Sequence, residues 1–143
     1  MPLCAAEWVV FMLTIKRIAD ARLAARVCDS LGAPEQGAFA YGVFQGGDVL
    51  ATAAFSMAGG CVTLCGADTG RRMDAGLIDG MARAAFAAVS RTGTKTARIG
   101  AGLAPELRLA LTKLGYEADA PFSLDAFFAR KNCTSGSRRQ GDF

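Results

Sequence analysis

Apolar and polar positions along this chain switch between a period of two and a period near 3.6, and the order of the switches predicts the fold. From Met12, Leu13-Thr-Ile-Lys-Arg-Ile18 alternates, with Leu13 and Ile15 on one face of a short strand. Asp20 then stands as a helix cap ahead of Leu23, Val27 and Leu31 at fourfold spacing, with Gly32 closing the helix. Arg22 and Arg26 fall on its polar side. After the connector Gly32-Ala-Pro-Glu-Gln-Gly37, Phe39, Tyr41 and Val43 alternate with Ala40, Gly42 and Phe44, which predicts a second strand. Gln45-Gly-Gly-Asp48 is a hairpin turn, because glycines permit the positive φ angles that tight turns require. Residues 49–57 return, Ala58-Gly-Gly60 turns again, and residues 61–65 make a third strand of an antiparallel meander.

The rhythm then changes. Gly66-Ala-Asp-Thr-Gly-Arg-Arg-Met-Asp74 reads as a polar loop, leading into Leu77, Ile78, Met81, Ala85, Phe86 and Val89 on the face of a long helix that ends near Gly93. Residues 95–99 predict a short strand, broken by Gly100-Ala-Gly102. Pro105 and Glu106 suit the first turn of another helix, with Leu107, Leu111 and Leu114 inward and Gly115 at its end. Residues 122–128 suit either a final strand or a short helix. The expected order is β-α-β-β-β-α-β-α-(β), an α+β or mixed α/β fold with a partly antiparallel sheet flanked by helices. A single domain is expected over 12–130, with 1–11 as a leader or an extension of the first strand and 131–143 as a frayed tail.

Composition narrows the function classes. A chain of 143 residues fits one domain, and 52% hydrophobic residues supply a packed core. A net charge of +3 is too small to argue for a nucleic-acid groove or a polybasic membrane surface. With no histidine, Ser-His-Asp and Cys-His catalysis and histidine-containing zinc sites are excluded. The five cysteines, Cys4, Cys28, Cys61, Cys65 and Cys133, are odd in number and scattered. They read as reduced, partly buried thiols rather than a disulfide framework or a metal site. The apolar stretch from Trp8 to Leu13 falls far short of the roughly 20 residues that span a bilayer. The N-terminus lacks the basic stretch of a signal peptide, so the chain is expected in the cytoplasm.

Leu111-Thr-Lys-Leu-Gly-Tyr116 resembles the Tyr-x-Lys-Leu-Gly-Phe segment that closes the last helix of the GNAT superfamily of acyl-CoA-dependent N-acetyltransferases. Tyr41-Gly-Val-Phe-Gln-Gly-Gly-Asp-Val-Leu50 resembles the hairpin joining that family's second and third strands, and the order of elements over residues 12–120 agrees. The resemblance implies that acetyl-CoA lies across loop 66–76, where the third meander strand and strand 95–99 splay apart. Leu64, Gly66, Arg71, Arg72, Met73, Asp74, Ala75 and Gly76 would surround it. Family members hold the diphosphate with Gln/Arg-x-x-Gly-x-Gly/Ala, where amide hydrogens and a helix N-terminus face the anion. Here the stretch is Arg71-Arg-Met-Asp-Ala-Gly76: Arg71 and Gly76 match, but Asp74 stands where the first glycine belongs. A carboxylate there repels a diphosphate, so Arg71 and Arg72 are left to grip it or simply to be solvated.

The resemblance also implies catalytic positions that this sequence does not fill. Segment 61–65 has no carboxylate to accept an amine's proton, and Leu111 stands where the family's proton-donating tyrosine belongs. Ala104 takes the place of an asparagine, and Tyr116 falls at a position that packs in the core or at its rim. Asp68 and Asp74 are alternative bases or loop caps, with Asp74 well placed to cap the long helix; Arg83 and Arg91 are expected on that helix's solvated face. Trp8 and Phe11 would form a patch if exposed. Two functions follow: an acyltransferase moving an acyl group from acetyl-CoA to a small-molecule or peptide amine, or a non-catalytic module for acyl-CoA binding or protein interaction. An unpaired edge strand would offer a contact for a homodimer. The enzyme reading falls, leaving only a compact scaffold, if the two central strands stay paired along their whole length or if Asp74's own side chain plugs the helix mouth.

Overall fold

Strand β1 (Thr14–Arg17) leads through Asp20 into α1 (Ala21–Ser30), as the alternation and the cap predict; the computed structural model describes residues 13–129. The Asp20 carboxylate accepts the amide hydrogens of Arg22 and Leu23 at 2.9 and 3.2 Å, satisfying two donors that the first turn leaves open. The meander follows as β2 (Ala38–Gln45), β3 (Asp48–Ala58) and β4 (Cys61–Asp68). Then come α2 (Ala75–Arg91), β5 (Thr96–Ile99), α3 (Pro105–Lys113) and β6 (Phe122–Ser123). Residues 124–129 are helical, with the Ser123 hydroxyl accepting the Ala126 amide hydrogen at 3.1 Å. Segment 122–128 is therefore both of the expected alternatives in succession. The leader 1–11, with Trp8 and Phe11, and the tail 131–143 lie outside the described residues, as do Cys4 and Cys133.

The six described strands form one mixed sheet in the order β1-β2-β3-β4-β5-β6. Neighbours are antiparallel except β4 and β5, which α2 joins as a parallel crossover. Helices cover both faces. On one, Phe55, Leu64, Ile78, Met81, Phe86, Leu107 and Leu111 join a single apolar cluster that unites β2–β5 with α2 and α3. On the other, Val27 and Cys28 of α1 pack with Ile18, Ala40 and Ala54. Each large side chain removed from water in this way contributes about 1.5–3 kcal/mol.

One boundary differs from expectation in a way that matters. Residues 66–68 do not begin the loop; they extend β4, with Thr52, Ala53 and Ala54 opposite Asp68, Ala67 and Gly66. Polar composition and a glycine suggested a loop, but the glycine answers a packing demand. A Cβ on Gly66 would lie 2.6 Å from the Leu31 carbonyl oxygen and 3.0 Å from the Leu31 Cβ, so the end of α1 presses on the bare strand. The loop is confined to residues 69–74.

Candidate functional site

Strands β4 and β5 pair from Cys61 opposite Thr96 to Leu64 opposite Ile99. One further rung, from the Gly100 amide to the Leu64 carbonyl at 2.8 Å, closes the pairing. Beyond it β4 runs on through residues 65–68 hydrogen-bonded to β3, while the chain after β5 turns away through residues 100–104 into α3. A bulge falls at the same place: Phe55 faces Leu64 and Ala54 faces Gly66, so Cys65 is the extra residue. Bulges bend a strand and increase its twist, which helps carry β4 off its neighbour.

The parting opens a slot of about 490 Å³. Cys65, Gly66, Ala67 and Asp68 form one wall, and Gly102, Leu103, Ala104, Glu106 and Leu107 form the other. Thr69, Gly70 and Met73 line it where β4 gives way to the loop, Ser30, Leu31 and Gly32 line it where α1 meets Gly66, and Ile78 also contributes. Its ionisable lining is acidic, from Asp68 and Glu106, plus the Cys65 thiol. That thiol is engaged, donating to the Ser56 hydroxyl at 3.5 Å and to the Thr63 carbonyl at 3.7 Å.

The residues singled out from the sequence divide four ways. Gly66 and Met73 line the slot. Leu64 is fully buried in the core one residue short of it, and its carbonyl holds the last rung. Arg71 and Arg72 are exposed on the loop beside the slot, and neither forms its wall. Asp74, Ala75 and Gly76 make the cap and first turn of α2. On the opposite wall Ala104 was named from the sequence, as the place of the family's asparagine; Gly102, Leu103, Glu106 and Leu107, and residues 30–32, were not taken as site residues, and the Gly100-Ala-Gly102 break before Pro105 was the one signal for the former.

The helix mouth is largely spoken for. Asp74 Oδ1 accepts the Leu77 amide hydrogen at 3.1 Å, the capping role expected of it. The Thr69 hydroxyl accepts the Asp74 amide hydrogen at 2.9 Å and donates to the Arg72 carbonyl at 2.6 Å. Asp68 Oδ1 accepts the Gly70 amide hydrogen at 2.9 Å. Three of the amides that could meet an anion, those of Gly70, Asp74 and Leu77, are thus turned onto the side chains of Asp68, Thr69 and Asp74. A diphosphate fits this mouth poorly.

Because β4 extends to Asp68, the strand does carry a carboxylate on the slot, which segment 61–65 lacked. Leu111 is fully buried in the core. Tyr116 is also buried, and its hydroxyl donates to Asp79 Oδ1 at 2.6 Å. Burial, and then the adjacent Asp79 carboxylate, push its pKa far above the ordinary tyrosine value, so it keeps its proton as a structural donor. Arg83 departs from the solvated-face expectation. Its Nε donates to both Asp79 oxygens at 2.9 and 3.0 Å, and its guanidinium lies 4.6 Å from the centre of the Phe127 ring. The i,i+4 spacing of Asp79 and Arg83 was the available signal. Arg91 is exposed, as expected.

Among the described residues no helix is long and apolar enough to cross a membrane. No protein-family model matches the chain, and no curated protein matches it by sequence. Solved structures do match. The IAA acetyltransferase from Bacillus cereus aligns over 72% of this chain and 75% of its own, with a TM-score of 0.56 and 17% identity. A Desulfovibrio desulfuricans protein assigned to the GNAT family of acetyltransferases aligns over 76% and 87%, with a TM-score of 0.55 and 20% identity. The ribosomal-protein-S18-alanine N-acetyltransferase from Escherichia coli aligns over 73% and 77%, with a TM-score of 0.54 and 16% identity. Likeness at such identities speaks to architecture alone, and this chain has the GNAT-like fold that those structures share.

Proposed function

We propose that the protein binds acyl-CoA in the slot and catalyses transfer of the acyl group to an amine, of a small molecule or a peptide, in the cytoplasm. The observation that carries this reading is the edge of β4 over residues 65–68, left unpaired on the side where β5 departs. Such an edge offers alternating N–H and C=O groups, and an extended arm containing amides satisfies them as an added strand would. When bound, acyl-CoA supplies a thioester carbon open to attack by an amine. The protein's part is to position that carbon and to take up a proton. Asp68 and Glu106 are the slot's carboxylates, and Asp68 stands on the strand wall itself. With Leu111 buried, no side chain at that position protonates the departing thiolate, which leaves with help from solvent. The phosphates fall to Arg71 and Arg72, because Asp74 occupies the helix mouth.

Incubation with acetyl-CoA and a panel of amines, with products followed by mass spectrometry, tests the reaction. The expected result is an acetylated amine whose rate of formation drops about 100-fold or more in Asp68→Asn, the range for loss of a general base. No product from any amine overturns the enzyme reading. A second reading, a module that binds acyl-CoA without turnover, is favoured by the buried Leu111 and the Asp74 cap. Binding without product in the same assay selects it.

A further inference from the structure

We infer that Cys28 and Cys65 form an oxidation site, a dithiol that hydroperoxides convert to a disulfide fastening α1 to β4. Both are free thiols in this structure. Cys28 is buried beneath α1, in one apolar cluster with Ala40 and Ala54 of the sheet face that the helix covers. Ala54 pairs with Gly66, and Cys65 is the bulge residue beside it. The Cys65 thiol lies on that same face. It donates at 3.5 Å to the Ser56 hydroxyl, and Ser56 follows Ala54 by two residues along β3, the spacing of side chains on one face. Helix and strand approach closely enough for a bond. A Cβ on Gly66 would stand 3.0 Å from the Leu31 Cβ, closer than the ~3.5–4.5 Å between β-carbons that a disulfide spans. Cys28 lies one helical turn before Leu31, and Cys65 immediately precedes Gly66. The thiols also sense each other: burial first, and then the neighbouring Cys65, raises the Cys28 pKa.

Access assigns the two roles. Cys65 is half-buried and lines the slot, so peroxide reaches it first. Its sulfur attacks one peroxide oxygen: an S–O bond forms, the O–O bond breaks, and the departing hydroxide takes up the thiol's proton as water. Cys28, buried and with its pKa raised, stays a thiol until that sulfenic acid exists. Its sulfur then attacks the Cys65 sulfur. The S–S bond forms as the S–O bond breaks, and the Cys28 proton leaves with the hydroxyl as a second water. The thiols are oxidised by two electrons and the peroxide is reduced by two. The bond ties Cys65, on the slot's wall, to the helix whose end residues Ser30, Leu31 and Gly32 line the same slot.

Titrating the reduced full-length chain with hydrogen peroxide, and then pairing its sulfurs by non-reducing chymotryptic mapping, tests the site without acyl-CoA. The wild type should form a bond within one chain between the fragments that hold Cys28 and Cys65, and dithiothreitol should reverse it. Cys61→Ser should keep the bond, which separates Cys65 from the other cysteine of β4. Cys65→Ser, which retains a hydroxyl toward Ser56, and Cys28→Ala, which fits the apolar cluster, should each lose it. Should Cys28→Ala fail to fold, the wild-type map and Cys65→Ser still decide. No bond between these fragments in the wild type, or a bond that persists in Cys65→Ser or disappears in Cys61→Ser, overturns the site.

Discussion

The Gly100 amide donates to the Leu64 carbonyl at 2.8 Å, and past that rung β4 and β5 run separately. The position tolerates no side chain. A Cβ on Gly100 would lie 2.9 Å from the same Leu64 oxygen, a backbone atom that cannot rotate aside. Gly100→Ala should therefore lower unfolding free energy by about 1–3 kcal/mol, as overpacking of a tight site does. Denaturant titration checks the loss. Acetyl-CoA binding should weaken in the same variant, because the branch point of the slot moves.

Asp74 caps the helix with a carboxylate whose charge would repel an anion at the same mouth. Asp74→Asn keeps a capping oxygen for the Leu77 amide, since asparagine caps as well as aspartate, and removes the negative charge. Stability should fall by only about 0.3–1 kcal/mol, the worth of a charge at a helix N-terminus. Acetyl-CoA affinity should rise about fivefold, the equivalent of ~1 kcal/mol for relieving one repulsion near a surface. Calorimetry on the two proteins measures both the sign and the size.

Tyr116 ties α3 to α2 through Asp79, and its raised pKa gives that tie a pH dependence. The native state holds the phenolic proton above the ordinary tyrosine value of 10.0, where the unfolded chain has begun to release it. The folded form then binds more protons, so the stabilisation is complete below that value and is lost as pH rises beyond it, by up to ~1.4 kcal/mol per pH unit. Cys28 and Cys61, both raised by burial, add slopes of the same sign. Tyr116→Phe should cost about 1–2 kcal/mol at neutral pH, for the hydrogen bond to a carboxylate that Arg83 still holds. It should also flatten the alkaline loss relative to wild type. Thermal melts of both proteins from neutral pH to above 10 separate the tyrosine's part from the cysteines', which the two proteins share.

Local chemistry made most of the fold legible. The Asp20 and Asp74 caps, the glycine-rich turns and the twofold rhythm of residues 39–65 each act over a few residues, and each appears in the structure as the sequence suggests. What was hidden depends on distant partners. Gly66 looked like a loop residue because nothing nearby shows that Leu31 will press on it. Arg83 looked solvated because Phe127 and Tyr116 lie far along the chain. The candidate site suffered most. Its walls come from β4, from the start of α3 and from the end of α1, and the anion-binding pattern pointed only to the loop between β4 and α2.

Calorimetric titration of acetyl-CoA into the wild type and into the Arg71→Ala, Arg72→Ala double variant tests the slot most directly. The wild type should give heat at submillimolar ligand. The double variant should bind more weakly, with a shallower dependence on salt, because two cations no longer face the phosphates. No heat from the wild type at submillimolar acetyl-CoA would mean that the slot does not hold acyl-CoA.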